Sequence, residues 1–440
     1  MPVATARARR LKHLLAAALL AFAALFASAL AGFTTTTNAA REAPAGPPQP
    51  AAHPLQPWID ATPAGGTLRL MPGTYSGPAE ITRAIVLDGG GEATIDGGGH
   101  GTVLALKADG ATLRGLRIVN SGESHDRIDS GLLIEGSNNL IEDNIVENVL
   151  FGITLHRSND NVLRHNRIRS MPWDIADRGD GIRLWYSLNN LIADNDIAQI
   201  RDITVTNAPR NRFVDNTVRD SRRAMNFLFS HRTLIEGNTL SHNATGITIL
   251  NSEGMLIRRN RIMHAMDASG AGIALKESSA SLIHDNDIVH CAVGVLADSP
   301  LHALNRITIL DNRLSHNVTG ITFYGERGGR LVINNRFEHN LWQATVGTGG
   351  DDLSDAWYGN YWDDYEGFDR NHDGVGDQPY EILAYADRIW LETPKAKFFR
   401  SSPVLELLDF LERLAPFSHP TLVLRDPAPV AHGFTAALPQ

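Results

Sequence analysis

Apolar residues along this chain come in short runs that alternate with polar ones. Examples are Gly-Ile-Thr-Leu at 152–155, Gly-Ile-Arg-Leu at 181–184 and Asn-Thr-Leu at 238–240. A period of two in segments this short predicts half-buried strands and not helices. One residue type orders them. An Asn followed two residues later by an apolar side chain recurs at Asn144, Asn166, Asn195, Asn216, Asn238, Asn260, Asn286, Asn312 and Asn335, with gaps of 22, 29, 21, 22, 22, 26, 26 and 23. Eight residues after four of these nine Asn stands Gly plus an aliphatic: Gly152-Ile153, Gly246-Ile247, Gly294-Val295 and Gly320-Ile321. Where the gap is long the Gly slips with it (Gly181, Gly272), so insertions sit at definite corners of a regular coil.

A period near 22 residues with several short strands per period predicts turns of a parallel β-helix. Such turns stack at ~4.8 Å and bury their aliphatics in one continuous core. The Asn has a place in that arrangement: at a tight bend its amide can bond the bend's backbone and the Asn of the turns above and below. Leucine-rich repeats share the period but need an L-x-x-L-x-L pattern that is absent here. The expected fold is therefore all-β, a right-handed parallel β-helix over residues 58–346.

The ends differ from the repeat. Arg7, Arg9, Arg10 and Lys12 precede an apolar run from Leu14 to Leu30 and a small-x-small triplet at Ala29-Leu30-Ala31, which predicts a cleaved signal peptide over residues 1–31 and export to the periplasm. Its loss removes four cations from a net charge of −9, leaving −13. A Pro/Ala-rich linker is expected over 32–57, an aromatic and Asp/Gly-rich loop region over 347–400, and an amphipathic helix and tail over 401–440. The helix signal is Ser402-Pro403 followed by Val404, Leu407, Leu408, Leu411 and Leu414. With 440 residues, 43% of them hydrophobic, the chain can bury a large core. The acidic balance excludes the basic footprint of a nucleic-acid binder, and the single Cys291 excludes an intramolecular disulfide or a Cys-cluster metal site.

Three groups of residues could carry chemistry. His242, His264, His290, His316 and His339 each stand four residues after a repeat Asn, and in register they form a column along the solenoid. Met263, Met266 and Cys291 are their chain neighbours, and imidazole, thioether and thiolate suit copper. His264 with Met263 or Met266, and His290 with Cys291, are the expected pairs, with His242 and His316 beside them. The plainer alternative is a polar stack at a bend where His stands in for Asn, which the Ser-His-Asn triplets at 241–243 and 315–317 favour. The second group is Asp174, Asp177, Arg178 and Asp180 with His125, Asp126 and Asp129, which would suit a polysaccharide lyase, hydrolase or uronate epimerase. The third is Asp369, Asn371, Asp373 and Asp377 with Gly374 at the sixth position, the spacing of a calcium loop, although Tyr380 occupies the twelfth.

Three stretches carry a family likeness: GESHDRIDSG (122–131), RGDGIRLWYS (178–187) and GNYWDDYEGFDRNHDGVGDQPYEI (359–382). With the N-terminal LQPWIDATPAGGTLRLMPGTY and the C-terminal SSPVLELLDFLERLAPFS, the chain resembles the NosD family of periplasmic β-helix proteins for maturation of nitrous oxide reductase. The resemblance implies a non-enzymatic partner of an ABC transporter with a NosF-type ATPase and a NosY-type membrane subunit. It further implies delivery of copper, or of sulfur for the copper–sulfide cluster, together with a NosL-type lipoprotein copper chaperone. The chain departs from the family pattern at Met225-Asn226-Phe227-Leu228-Phe229 and Ile247-Thr248-Ile249-Leu250, so a paralogue serving another copper enzyme is the alternative client assignment.

Overall fold

Consecutive coils of this chain stack residue on residue. Leu234–Glu236 pairs with Leu256–Arg258, Thr239–Ser241 with Arg261–Met263, and Thr245–Leu250 with Ala271–Lys276, all parallel. The computed structural model describes residues 53–300, 305–324, 328–346, 355–384 and 421–431, and among them it is a parallel β-solenoid of about 13 turns. A typical coil gives two short strands to a 25-stranded sheet and one to a 12-stranded sheet. The interior is filled by the alternate residues of each strand. Ile235, Leu240, Ile247 and Ile249 of one coil lie under Ile257, Ile262, Ile273 and Leu275 of the next, all buried. β-Branched side chains fit this pleated surface, and burying each contributes about 1.5–3 kcal/mol over leaving it in water.

The repeat Asn forms the expected ladder. From Asn144 to Asn335, each backbone N–H donates to the Oδ1 of the Asn one coil on, at 2.9–3.1 Å. Each Nδ2 returns to the strand before it, as Asn238 does to Phe213 O and Glu236 O. A buried bend would otherwise leave these backbone groups without partners, which costs about 1–3 kcal/mol apiece.

The ladder outruns the boundary that the sequence set at Val346. Asn335 donates to Asn360, Ala356–Tyr358 pairs with Arg330–Ile333, and Tyr361–Trp362 with Arg336–Glu338. This last coil uses Trp357 and Trp362 where most earlier coils use aliphatics, so the aliphatic repeat does not reveal it. Trp362 lies between Phe337 and Tyr380, with ring centroids 4.2 and 4.3 Å away and planes within 12° of parallel. The ladder ends on a carboxylate: Asp426 Oδ2 accepts from Asn360 N and Nδ2 and from Trp362 Nε1. Asp426 arrives on the strand Thr421–Asp426, antiparallel to Tyr380–Ala384. These residues were assigned to the helix and tail; the stretch expected to be helical, 402–414, lies outside the described residues. At the other end the short helix Gln56–Ala61 covers the first coil with Leu55 and Ile59. No helix among the described residues is long and apolar enough to cross a membrane.

Candidate metal-handling surface

Each histidine of the column occupies the corner between a strand of the large sheet and one of the small. The φ angles of His242, His264, His290, His316 and His339 are 55, 58, 53, 55 and 55°. Asn, Asp and His tolerate this left-handed conformation better than most residues. Upstream coils fill the same corner with Asn120, Asn148, Gln199 and Asp220, also at positive φ. The corner therefore asks for a residue that accepts positive φ, and five consecutive histidines exceed that demand. The residue after each His turns inward: Asn243 accepts from Ser221 N, and Asn317 from Cys291 N. The imidazoles consequently point outward, and all five are exposed.

The rings stack. Centroids are 4.6 Å apart for His242–His264, 5.3 Å for His264–His290, 5.1 Å for His290–His316 and 5.0 Å for His316–His339, with interplanar angles of 23, 4, 44 and 73°. Near-parallel rings aim their nitrogen lone pairs side by side and not at a shared point. One copper ion bridging His264 and His290 therefore requires both rings to rotate. The donor set fits the softness of copper, and its spacing suits at most two ligands at once. Among the described residues, no group of three or more His, Cys, Asp or Glu is gathered to hold a metal ion. Partial burial, with His242 and His290 on either side, holds the His264 imidazole below its usual range. The column ends on a partner the repeat spacing does not reveal: His339 Nδ1 lies 2.9 Å from Asp363 Oδ2. The column spacing extended by one rung from Asn360 gives Asp364, one residue past this partner.

The sulfur neighbours divide. Met266 is 54% exposed, and Met263 is half-buried at the end of Arg261–Met263. Cys291 drops out of the set. It fills the inward place that Asn243 and Asn317 take in other coils, its thiol donates to Val289 O at 3.5 Å, and burial pushes its pKa up to about 11. A buried thiol held protonated is a poor copper ligand.

The second group is brought together as a clasp. His125 Nε2 lies 3.0 Å from Asp177 O, joining the 122–131 loop to the insertion at 171–180 over a small apolar cluster of Leu150, Phe151 and Met171. Two of its carboxylates are taken up by neighbouring donors. Asp129 accepts from Ser124 N, and the buried Asp180 is held by Arg183 and Arg201 at 3.3 and 3.1 Å. Burial pushes the Asp180 carboxyl up, against the pull of the two arginines. Asp126, Asp174 and Asp177 are exposed, and Arg178 bonds Trp173 O.

In the third group the oxygen atoms serve the loop's own backbone. Asp369 accepts from the N–H groups of Asp373 and Gly374, Asp373 from Val375, and Asp377 from Arg370. Asn371 donates to Asp373 Oδ2 at 2.8 Å.

Comparison with known proteins places this geometry. A family model described as "Periplasmic copper-binding protein (NosD)" matches residues 169–367, and one described as "Right handed beta helix region" matches residues 101–231. A Pseudomonas aeruginosa protein, "Probable ABC transporter binding protein NosD", is 27% identical over 369 residues, covering 80% of this chain and 85% of the relative. Over these residues the chain is similar to proteins of the NosD family. A Stutzerimonas stutzeri protein of the same name is 32% identical over 126 residues, 27% of this chain and 29% of that one. Both relatives are named for transporter binding and not for a reaction. Among solved structures, the A-module of an Azotobacter vinelandii mannuronan C-5 epimerase aligns at 16% identity over 67% of this chain and 93% of the module, with a TM-score of 0.47. A likeness that loose carries no chemistry across.

Proposed function

We propose that this chain is a non-enzymatic periplasmic accessory protein that works with an ABC transporter in assembling a copper enzyme, nitrous oxide reductase. The outward imidazole column is where copper is held in passing. The observation that carries this is the exposure and stacking of five imidazoles at a corner whose backbone requires only tolerance of positive φ. Copper is cargo here. A carrier needs ligands soft enough to accept Cu(I) and too few to trap it, and two imidazoles on neighbouring coils, with Met263 or Met266 at hand, meet both conditions. The polysaccharide-enzyme alternative has no such support, because its buried carboxylates are consumed by arginine and backbone donors.

A strain lacking this gene is expected to export a nitrous oxide reductase deficient in copper, with other secreted enzymes unaffected. The copper content and activity of the purified enzyme give the answer; a fully metallated, active enzyme from that strain would sink the proposal.

A further inference from the structure

The last histidine of the column differs from the four before it. In the earlier coils the backbone N–H of the histidine donates to a carbonyl of the next coil: His242 to Met263 O, His264 to Val289 O, His290 to Ser315 O and His316 to Glu338 O. At His339 the next strand has ended at Trp362, and a side chain takes the carbonyl's place. Asp363 Oδ2 accepts from His339 N at 2.5 Å, and the same oxygen lies 2.9 Å from His339 Nδ1. Among the described residues, His339 is the only ring of the column with such a partner.

The polarity of this contact follows from a chain of groups that can act in only one sense. Asn340 Oδ1 accepts from Asn317 N, and Asn340 Nδ2 donates to Leu314 O, so this amide has a single orientation. The same Nδ2 donates to Gln343 Oε1, which turns Gln343 Nε2 toward Asp363 Oδ1 at 2.5 Å. Asp363 thus accepts at both oxygens, from Gln343 and from His339 N, and a carboxylate has no proton to offer the ring. His339 Nδ1 must carry the hydrogen. In a neutral ring Nε2 then bears the lone pair, on a side chain that is 68% exposed. The inward asparagines thereby set the state of an outward imidazole.

We propose that Asp363 is a positioning residue: it holds His339 as the Nδ1–H tautomer and makes Nε2 the nitrogen that accepts copper. The tautomer stands on the hydrogen bonds alone, whereas the copper rests on the role proposed for the column. Nothing among the described residues fixes the tautomer of the other four rings. A ligand among them is set only when the ion arrives. At His339 the ring and its donor nitrogen are set beforehand, which is what a carboxylate behind a metal-bound histidine does. The column therefore has a defined end. Binding there is ligand exchange: the Nε2 lone pair bonds the Cu(I) ion as one bond to its previous ligand breaks, and no proton or electron is transferred.

The test is ring-nitrogen NMR on the mature protein with 15N-labelled histidine, about two pH units above the ordinary imidazole value of ~6.5. His339→Gln identifies the signals. Wild type is expected to show one tautomer for His339, with Nδ1 protonated and Nε2 bare. Asp363→Asn, whose amide can turn either an oxygen or an N–H toward the ring, is expected to give a mixture. Asp426→Ala, which removes an acceptor from the same coil without touching the Asp363 carboxylate, is expected to keep the single tautomer. Cu(I) held in a weak ligand buffer is expected to shift Nε2 of His339, with a half-saturating concentration at least roughly tenfold higher in Asp363→Asn. A wild-type mixture, an Nε2–H tautomer, an unchanged spectrum in Asp363→Asn or an equal change in Asp426→Ala overturns the positioning role. A fixed tautomer whose Nε2 is untouched by Cu(I) keeps the positioning and removes the copper, so the two failures are told apart.

Discussion

His264 has an imidazole on either side of it, 4.6 and 5.3 Å away centre to centre, and those neighbours give it two distinct properties. In the proposed role it shares copper with either once the rings rotate, and a proton on it is disfavoured by partial burial and by the company of His242 and His290. Mature protein is expected to bind about one Cu(I), and His264→Ala with His290→Ala to weaken this at least tenfold, or ~1.4 kcal/mol, by chelator competition. Protons compete with copper for the ring nitrogen. A pKa below the ordinary ~6.5 therefore keeps His264 open to copper as the pH falls past that value, and affinity drops only through the lower folded-state pKa. A decline already complete at the ordinary value would place copper elsewhere. The spacing of four from the repeat Asn makes this column readable in the sequence, because hydrogen-bond period and chain period coincide. Cys291 shows where such reading stops. At a bend the inward and outward sides no longer alternate, and the thiol next to an exposed His lies in the interior.

Among the elements, the last coil and its cover are the least local. Nothing near Asn360 in the sequence announces that its acceptor is Asp426, brought back by a strand that pairs with Tyr380–Ala384. Asp426→Ala leaves Asn360 N, Asn360 Nδ2 and Trp362 Nε1 without that acceptor. Proteolysis of residues 355–384 is expected to accelerate while amide exchange in the central coils is unchanged; equal protection in variant and wild type would mean that stacking on Trp362 alone holds the cover. The Asp369–Asp377 loop belongs to the same cover. Its spacing suggests a calcium loop, whereas the backbone N–H groups that donate to its carboxylates leave no trace in the sequence. Calcium is proposed there because several ionised carboxylates within nine residues repel one another unless a cation intervenes. Calcium is expected to slow cleavage of this segment and EGTA to restore it, with Asp373→Ala insensitive to both. Identical cleavage under both conditions leaves a loop closed by its own donors.

For the whole molecule, the solenoid was legible because every coil repeats one solution to one problem, and the repeat is carried by Asn and alternating Ile, Leu and Val. The exceptions are the ends, where the problem changes from stacking to closure and is solved by Trp357, Trp362, Asp426 and the helix Gln56–Ala61. The Asn ladder has a consequence of its own. Each rung hands the next an identical pair of hydrogen bonds, so no rung carries a record of how many lie on either side. The fold has translational symmetry without a fixed count. Excising one coil, from Asn312 through Asn334, would set Asn286 on Asn335 with the same bonds in the same places. Length is then a quantity that duplication or deletion of coils can tune with the interior chemistry unchanged, and the number of imidazoles on the edge changes with it.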